Sequence, residues 1–491
     1  MNEADVRDTA LEKGDAHRRP ARGERKSEMR YRKPLVFSDG IAATFSGVET
    51  APAAAIRGLQ EQRLVRQLDY LAARSRFYQR RFREAGIDVS RVRRIEDLPC
   101  VPFTTKQELR DSLASAPPLG EHLAAPLSDV VQIQASSGTT GSPSYVGLTE
   151  NDVLGWQEAT ARTLFACGMR PGDLVLHGFS MSKGFVGGIP MFQAIQYLGA
   201  RDIPVGADGG FDRLLIACRD LRPRCIVGTP NFLLFLADKA KELTGVEARD
   251  LGVECLIVGG EPGGGIPAVR QAIEQRWNAT CRELMGGTDL GCAYWAEANA
   301  EDGMYMVAPD HILVELIDPD SGEVRPFETG TTGELVYTAL GREASPVLRF
   351  RSGDHVVVTH DGRSGARTTP AVRCFGRTDD MLIVRGVNLF PSAVQDVVAS
   401  TSGTNRVMRI VADFVGHTTQ DNLKILVERG EGASADGDAA LKRHVEERIR
   451  NALSVKADVT IVHANFFEKP GARKVSLTLR EMPEPQGGPH D

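Results

Sequence analysis

The chain has 491 residues, 42% of them hydrophobic and 25% charged, which is material for more than one core. Its 59 basic and 65 acidic side chains leave a net charge of −6, which excludes a global pull toward nucleic acid or an anionic membrane. No apolar run approaches the roughly 18 residues of a membrane helix, and the first 33 residues lack an apolar signal core. The eight cysteines fall in no CxxC or knuckle spacing, so reduced thiols and a cytoplasmic protein are expected.

Residues 1–33 are charged and poor in apolar side chains, and are read as disordered. From about 34 to 115 the spacing is helical, most clearly in LVRQLDYLAARSRFYQRRF. Strand and helix signals then alternate. The runs 173–179, 225–229, 253–260 and 333–339 are β-branched and end in small residues, with helical stretches at 230–243 and 267–277 between them. The alternation predicts an α/β fold with parallel pairing: a large multi-sheet body over 34–378. A small C-terminal α+β lid follows over 379–481, then a flexible Pro/Gly tail at 482–491.

Glycine is the one compositional excess, at 50 residues against a usual share of about 7%. Much of it sits in motifs. Ser136-Ser137-Gly138-Thr139-Thr140-Gly141-Ser142-Pro143-Ser144 follows a predicted strand, and small hydroxyl residues among glycines suit a polyanion cradle. It lacks the ending of a Walker A loop. Val258-Gly259-Gly260-Glu261-Pro262 lies at another strand's carboxyl end, where α/β sheets bind flat ligands. Glu283-Leu284-Met285-Gly286-Gly287-Thr288-Asp289, Arg351-Ser352-Gly353-Asp354 and Gly376-Arg377-Thr378-Asp379 complete the series. An Asp behind a Gly turn can accept both hydroxyls of a ribose.

In this order and spacing the motifs resemble the adenylate-forming superfamily of acyl- and aryl-CoA synthetases, adenylation domains and luciferases. The wording of PFTTKQELRDS, GELVYTALGREASPVLRFRSGD and DDMLIVRGVNLFPS is most similar to its phenylacetate–CoA ligase branch. The resemblance implies ATP and Mg²⁺, with CoA or a carrier-protein thiol as acceptor. It implies that Ser137, Gly138, Thr139, Thr140 and Gly141 wrap the phosphates, with Thr140 also catalytic. Gly260, Glu261 and Pro262 would border the adenine, with Met285, Gly286 and Thr288 completing the nucleotide site. Asp354 would grip the ribose and Arg377 reach the nucleotide. Asp289 would hold the metal, Asp379 would be the hinge between body and lid, and Lys474 would reach the acyl phosphate. Three positions depart from the common pattern: Ser142 stands for a Lys, Met285 for a Tyr and Asp289 for a Glu.

The acid pocket is expected between Leu174 and Gly188, lined by His177, Phe179, Met181, Lys183 and Phe185. Cys281, Cys292 and His311 match no zinc spacing and are read as structural. The leading expectation is an AMP-forming ligase that activates an aromatic acid and passes it to a thiol. One alternative is a diazotase-type enzyme coupling nitrite to an aromatic amine, since Lys183 could meet a small anion. A nucleotide-binding relic is the third. A homodimer is common in the resembling branch.

Overall fold

The helical pattern at the start folds as two helices, Ala53–Arg74 and Arg76–Glu84. Ser75 breaks them: its backbone is extended, and its hydroxyl accepts the Tyr78 N–H to cap the second. Leu64, Leu68, Leu71, Phe77 and Tyr78 are buried against Leu340 and Leu348 of the main body. This computed structural model describes residues 44–136, 144–182, 184–363, 367–385, 387–467 and 476–481.

One sheet of 12 strands organises the body. Its parallel half contains Arg201–Ile203, Leu174–His177, Cys225–Gly228, Cys255–Val258 and the first half of Thr280–Gly287. Parallel neighbours need crossovers, and these are the helices Ile189–Leu198, Phe211–Leu221, Pro230–Thr244 and Pro267–Trp277. The strand Thr280–Gly287 is the seam. Its second half turns antiparallel to Gly291–Glu297, and every later pairing in this sheet is antiparallel. The expectation of parallel pairing therefore holds only before the seam. The run 333–339, counted as a parallel strand, lies in Thr332–Ala339 between two antiparallel neighbours. β-Branched runs cannot reveal strand direction. The connections can: no helix separates this strand from Ile312–Ile317 or Phe350–His360.

Beyond the turn Thr378–Asp380 a second core forms around Val394, Ile410, Ile425, Val445, Ile449 and Val459. A four-stranded sheet carries the helices Pro391–Ala399 and Asp438–Leu453, giving the small α+β unit. The fold is thus a large α/β body with a C-terminal α+β domain. Phe390 joins the two: its ring meets Phe375 edge-on at 5.2 Å and lies 5.2 Å from His355. A Cβ at Gly376 would stand 2.0 Å from Phe390 Cδ1, so only glycine admits this contact. Among the described residues no helix is long and apolar enough to cross a membrane.

Candidate active site

The parallel strands end at His177, Gly228 and Val258, and the seam strand runs into the Gly286–Gly287 turn beside them. Ligands of open α/β sheets bind at such carboxyl ends. The turn after Val258 is tied to its neighbour. Glu261 is buried, and its Oε1 accepts the Asn231 N–H at 3.1 Å, in the first turn of helix Pro230–Thr244. Gly260 takes a left-handed φ of 84°, and a Cβ there would lie 3.9 Å from Phe179, Phe185 and Thr229. Pro262 is half-buried in the same turn.

Phe179 and Phe185 meet edge-on with ring centroids 6.2 Å apart, the first buried and the second half-buried. Met181 is half-buried and packs on Gly206, where a Cβ would approach its Cγ to 2.6 Å. His177 is fully buried. Its Nδ1 lies 3.0 Å from Asp202 Oδ2, and its Nε2 donates to the Gly187 carbonyl at 2.8 Å. With both nitrogens engaged, His177 anchors the 178–188 loop and has no face left for a phenol or amine. Lys183 lies outside the described residues.

Met285 is half-buried opposite Trp295. Gly286 passes so close to its partner strand that a Cβ would fall 2.0 Å from the Cys292 carbonyl. Thr288 and Asp289 are both buried. Asp289 Oδ2 lies 3.4 Å from Lys106 Nζ, and the Asp289 carbonyl accepts from Arg342 Nη1. Lys106 opens helix Lys106–Ser115 just after its cap Thr105. Its place was hidden in sequence, although PFTTKQELRDS carried part of the resemblance.

Asp354 is buried, and its Oδ1 accepts from Arg377 Nη1 at 2.8 Å across an antiparallel pair. Arg377 Nη2 donates to the Ser352 carbonyl at 2.9 Å. Gly353 (φ 75°) supplies the left-handed step between them. Tyr294 and Tyr337, which the motifs did not flag, stack edge-on at 5.4 Å behind this pair. Burial, with Asp354 nearby, drives both phenols well above their ordinary pKa, so they stay neutral.

Residues 137–143, Lys474 and the Asp379 side chain lie outside the described residues, and with them Ser137, Gly138, Thr139, Thr140 and Gly141. What flanks the loop is described. Ser136 N–H donates to the Ser144 carbonyl at 2.9 Å, and Ser144 N–H donates to Ser136 Oγ at 3.0 Å. The loop therefore springs from the closed neck of the hairpin Val130–Ala135 and Tyr145–Thr149.

His311 is buried 3.7 Å from Asp310 and 3.8 Å from Glu158, and burial lowers its pKa to about 3. Cys292 Sγ donates to the Val186 carbonyl at 3.1 Å, and burial lifts the Cys281 and Cys292 thiols to about 12. Among the described residues no group of three His, Cys, Asp or Glu side chains could hold a metal. A cation site here would combine protein and phosphate oxygens. The buried carboxylate of Asp289 is a hard oxygen donor that fits Mg²⁺ on those terms.

The chain matches the AMP-binding enzyme family over residues 43–340 and the AMP-binding enzyme C-terminal domain over 386–476. The phenylacetate-coenzyme A ligase of Thermus thermophilus is 34% identical over 433 residues, spanning 84% of this chain and 94% of the relative. That of Escherichia coli K12 is 32% identical, spanning 86% and 94%. Among solved structures, a 2-hydroxyisobutyryl-CoA ligase in its postadenylation state superposes with TM-score 0.85 at 28% identity, over 93% of this chain and 96% of that one. The same ligase with CoA, in its thioesterification state, gives 0.68 over the same shares. The two units here are therefore arranged as in the former. By sequence over most of its length and by fold, the chain belongs to the adenylate-forming acid–CoA ligases.

Proposed function

We propose that this enzyme activates an aromatic carboxylic acid with Mg-ATP and transfers the acyl group from the adenylate to CoA. The observation that carries the aromatic reading is the Phe179–Phe185 edge-on pair at the strand ends, beside the open face of Gly260. The phenylacetate-coenzyme A ligases similar to this chain support it. Two aromatic rings beside a glycine offer a flat, apolar slot for another ring.

The chemistry follows from charge. A carboxylate oxygen attacks the α-phosphorus, and the bond to the bridging oxygen of pyrophosphate breaks. Negative charge then grows on the phosphate oxygens, where preorganised cations lower the barrier. Lys106, beside Asp289, supplies one such charge and compensates for Ser142 in the phosphate loop. Lys474 supplies the second from the C-terminal unit. Mg²⁺ on Asp289 would add Lewis-acid neutralisation. Asp354, held by Arg377, receives the ribose hydroxyls. The body over 34–378 and the lid over 379–481 would then reorient at Asp379 to admit the thiol.

The test is acid-dependent pyrophosphate exchange and product mass across aryl acids and aryl amines, each with CoA, a carrier protein or nitrite. An aryl-CoA product is expected. Turnover that needs nitrite and an amine instead of CoA would establish the diazotase reading, and no ATP turnover at all would establish the relic. Within the same assay, Asp354→Ala removes the ribose acceptor and the carboxylate that Arg377 Nη1 holds. A loss of charge-assisted hydrogen bonds on this scale raises KM for ATP by about 10–100-fold. KM for the acid should stay within about twofold.

A further inference from the structure

The turn 259–265 rests on a charge cluster that neither the motifs nor the reaction above accounts for. Arg270, in the first turns of helix Pro267–Trp277, reaches back to the turn. Its Nε and Nη2 donate to the Gly264 carbonyl at 2.7 and 2.5 Å. The same Nη2 donates to both oxygens of Glu297, at 2.6 and 2.7 Å. Glu297 is 1% exposed and lies on the strand after the seam, where its Oε2 accepts the Glu283 N–H at 2.8 Å. Glu283, on the seam strand, is hydrogen-bonded by the Gly265 N–H. Gly264 and Gly265 have no room for side chains: a Cβ on either would lie 2.7 Å from Val258 or 2.8 Å from Glu283 Oε2. The helix, the seam strand and its neighbour thus converge on two peptide groups of one turn.

Such an arrangement is costly. The buried Glu297 carboxylate lies with the half-buried Glu283 and Arg270, and Arg270 Nη1 has no hydrogen-bond partner among the described residues. A turn that needed only to reverse the chain could do without them.

We propose that Arg270 and Glu297 are positioning residues for ATP. They brace the Gly264–Gly265 backbone so that Gly260, Glu261 and Pro262 present a fixed edge to the adenine. The proposal rests on the assignment of this turn to the nucleotide, and deepens it by naming what holds the turn. It differs from a purely structural role in one respect. Loosening the brace weakens ATP more than the acid, because the aromatic pair belongs to the 178–188 loop and only Gly260 of the braced turn borders it.

The experiment measures acid-dependent pyrophosphate exchange, with ATP and acid varied independently, for the full chain and for Arg270→Ala, Arg270→Lys and Glu297→Gln. Lys keeps the charge but loses the fork that spans Gly264 and Glu297. Arg270→Ala is expected to raise KM for ATP about tenfold, with KM for the acid and kcat within about twofold. Arg270→Lys and Glu297→Gln should fall between it and the parent. The proposal is overturned if KM for ATP is unchanged, or if both KM values rise together. If Arg270→Ala does not fold, the two milder variants decide by the same criterion. A parent chain without exchange activity would instead refute the ligase reading itself.

Discussion

Lys106→Ala and Lys474→Ala are each expected to lower the rate of adenylate formation by about 10²–10³-fold, the usual cost of removing a preorganised transition-state donor. The Ser/Thr/Gly loop proposed to wrap the phosphates ends in Gly141-Ser142, so it brings no cation of its own. Charge leaving with pyrophosphate must be met from elsewhere. Lys106 is placed to do so by the capped start of its helix, 3.4 Å from Asp289. Its ammonium also keeps the buried Asp289 from standing as an uncompensated charge. Lys474 comes from the small unit, whose arrangement matches the postadenylation state of the 2-hydroxyisobutyryl-CoA ligase. The two losses should differ in kind. Lys474→Ala is expected to suppress pyrophosphate exchange while thioester formation from a supplied acyl-adenylate survives, as the proposed rotation of the lid between the half-reactions requires. Lys106→Ala also alters metal dependence, since Asp289 loses its counter-ion. Two lysines acting on one transition state are not additive, and the double variant should fall well short of the product. Full exchange activity in either single variant would remove that lysine from the mechanism. Stopped adenylation and single-turnover thioester assays on the same preparations separate the steps.

The glycine motifs were legible because a close approach of the backbone to its neighbours demands glycine. Gly286 and Gly376 show why: a Cβ at either would collide within 2.0 Å of a carbonyl or a ring. Strand existence was equally plain, since Cys225–Gly228 and Cys255–Val258 are buried on both faces and read as continuous apolar runs. Strand direction was not, because Thr332–Ala339 has the same composition and takes the opposite pairing. Side-chain partnerships across long separations were hidden for a different reason. Lys106 and Asp289 are brought together by the tertiary fold across 183 positions of sequence, and nothing local to either predicts the other. His177 shows the converse. A histidine at the end of a core strand is as suited to a ligand as to an anchor, and its neighbours Asp202 and Gly187 decide which. Arg270 and Glu297 were invisible singly, and Glu283, although it opens the motif that runs to Asp289, gave no sign of either partner.

Glu283→Gln is expected to remove about 3 kcal/mol of pH dependence from the stability of the body. Burial comes first among the causes and the like charge of Glu297 second. Against the Gly265 N–H, Arg270 and Arg373, they push the Glu283 carboxyl from 4.5 up to about 7. Burial raises the thiols of Cys281 and Cys374 near it, so they stay neutral through this range. The sign follows from proton counting. Between about pH 4.5 and 7 the folded chain keeps a proton on Glu283 that the unfolded chain has released. The stabilisation from that proton is full below the unfolded value and is lost as pH rises through 7. Glutamine has the same shape, can accept the Gly265 N–H and cannot ionise. Denaturant unfolding of parent and variant from pH 5 to 8 should therefore show the parent losing stability relative to the variant as pH rises. The difference should accumulate mostly between pH 5 and 7, before the folded carboxyl ionises, and level off above it. Glu297, whose own pKa is also raised by burial, is held more firmly by Arg270 and does not cancel the effect. Parallel curves would mean that Glu283 is ionised across the whole range, with Arg270 and Arg373 outweighing burial.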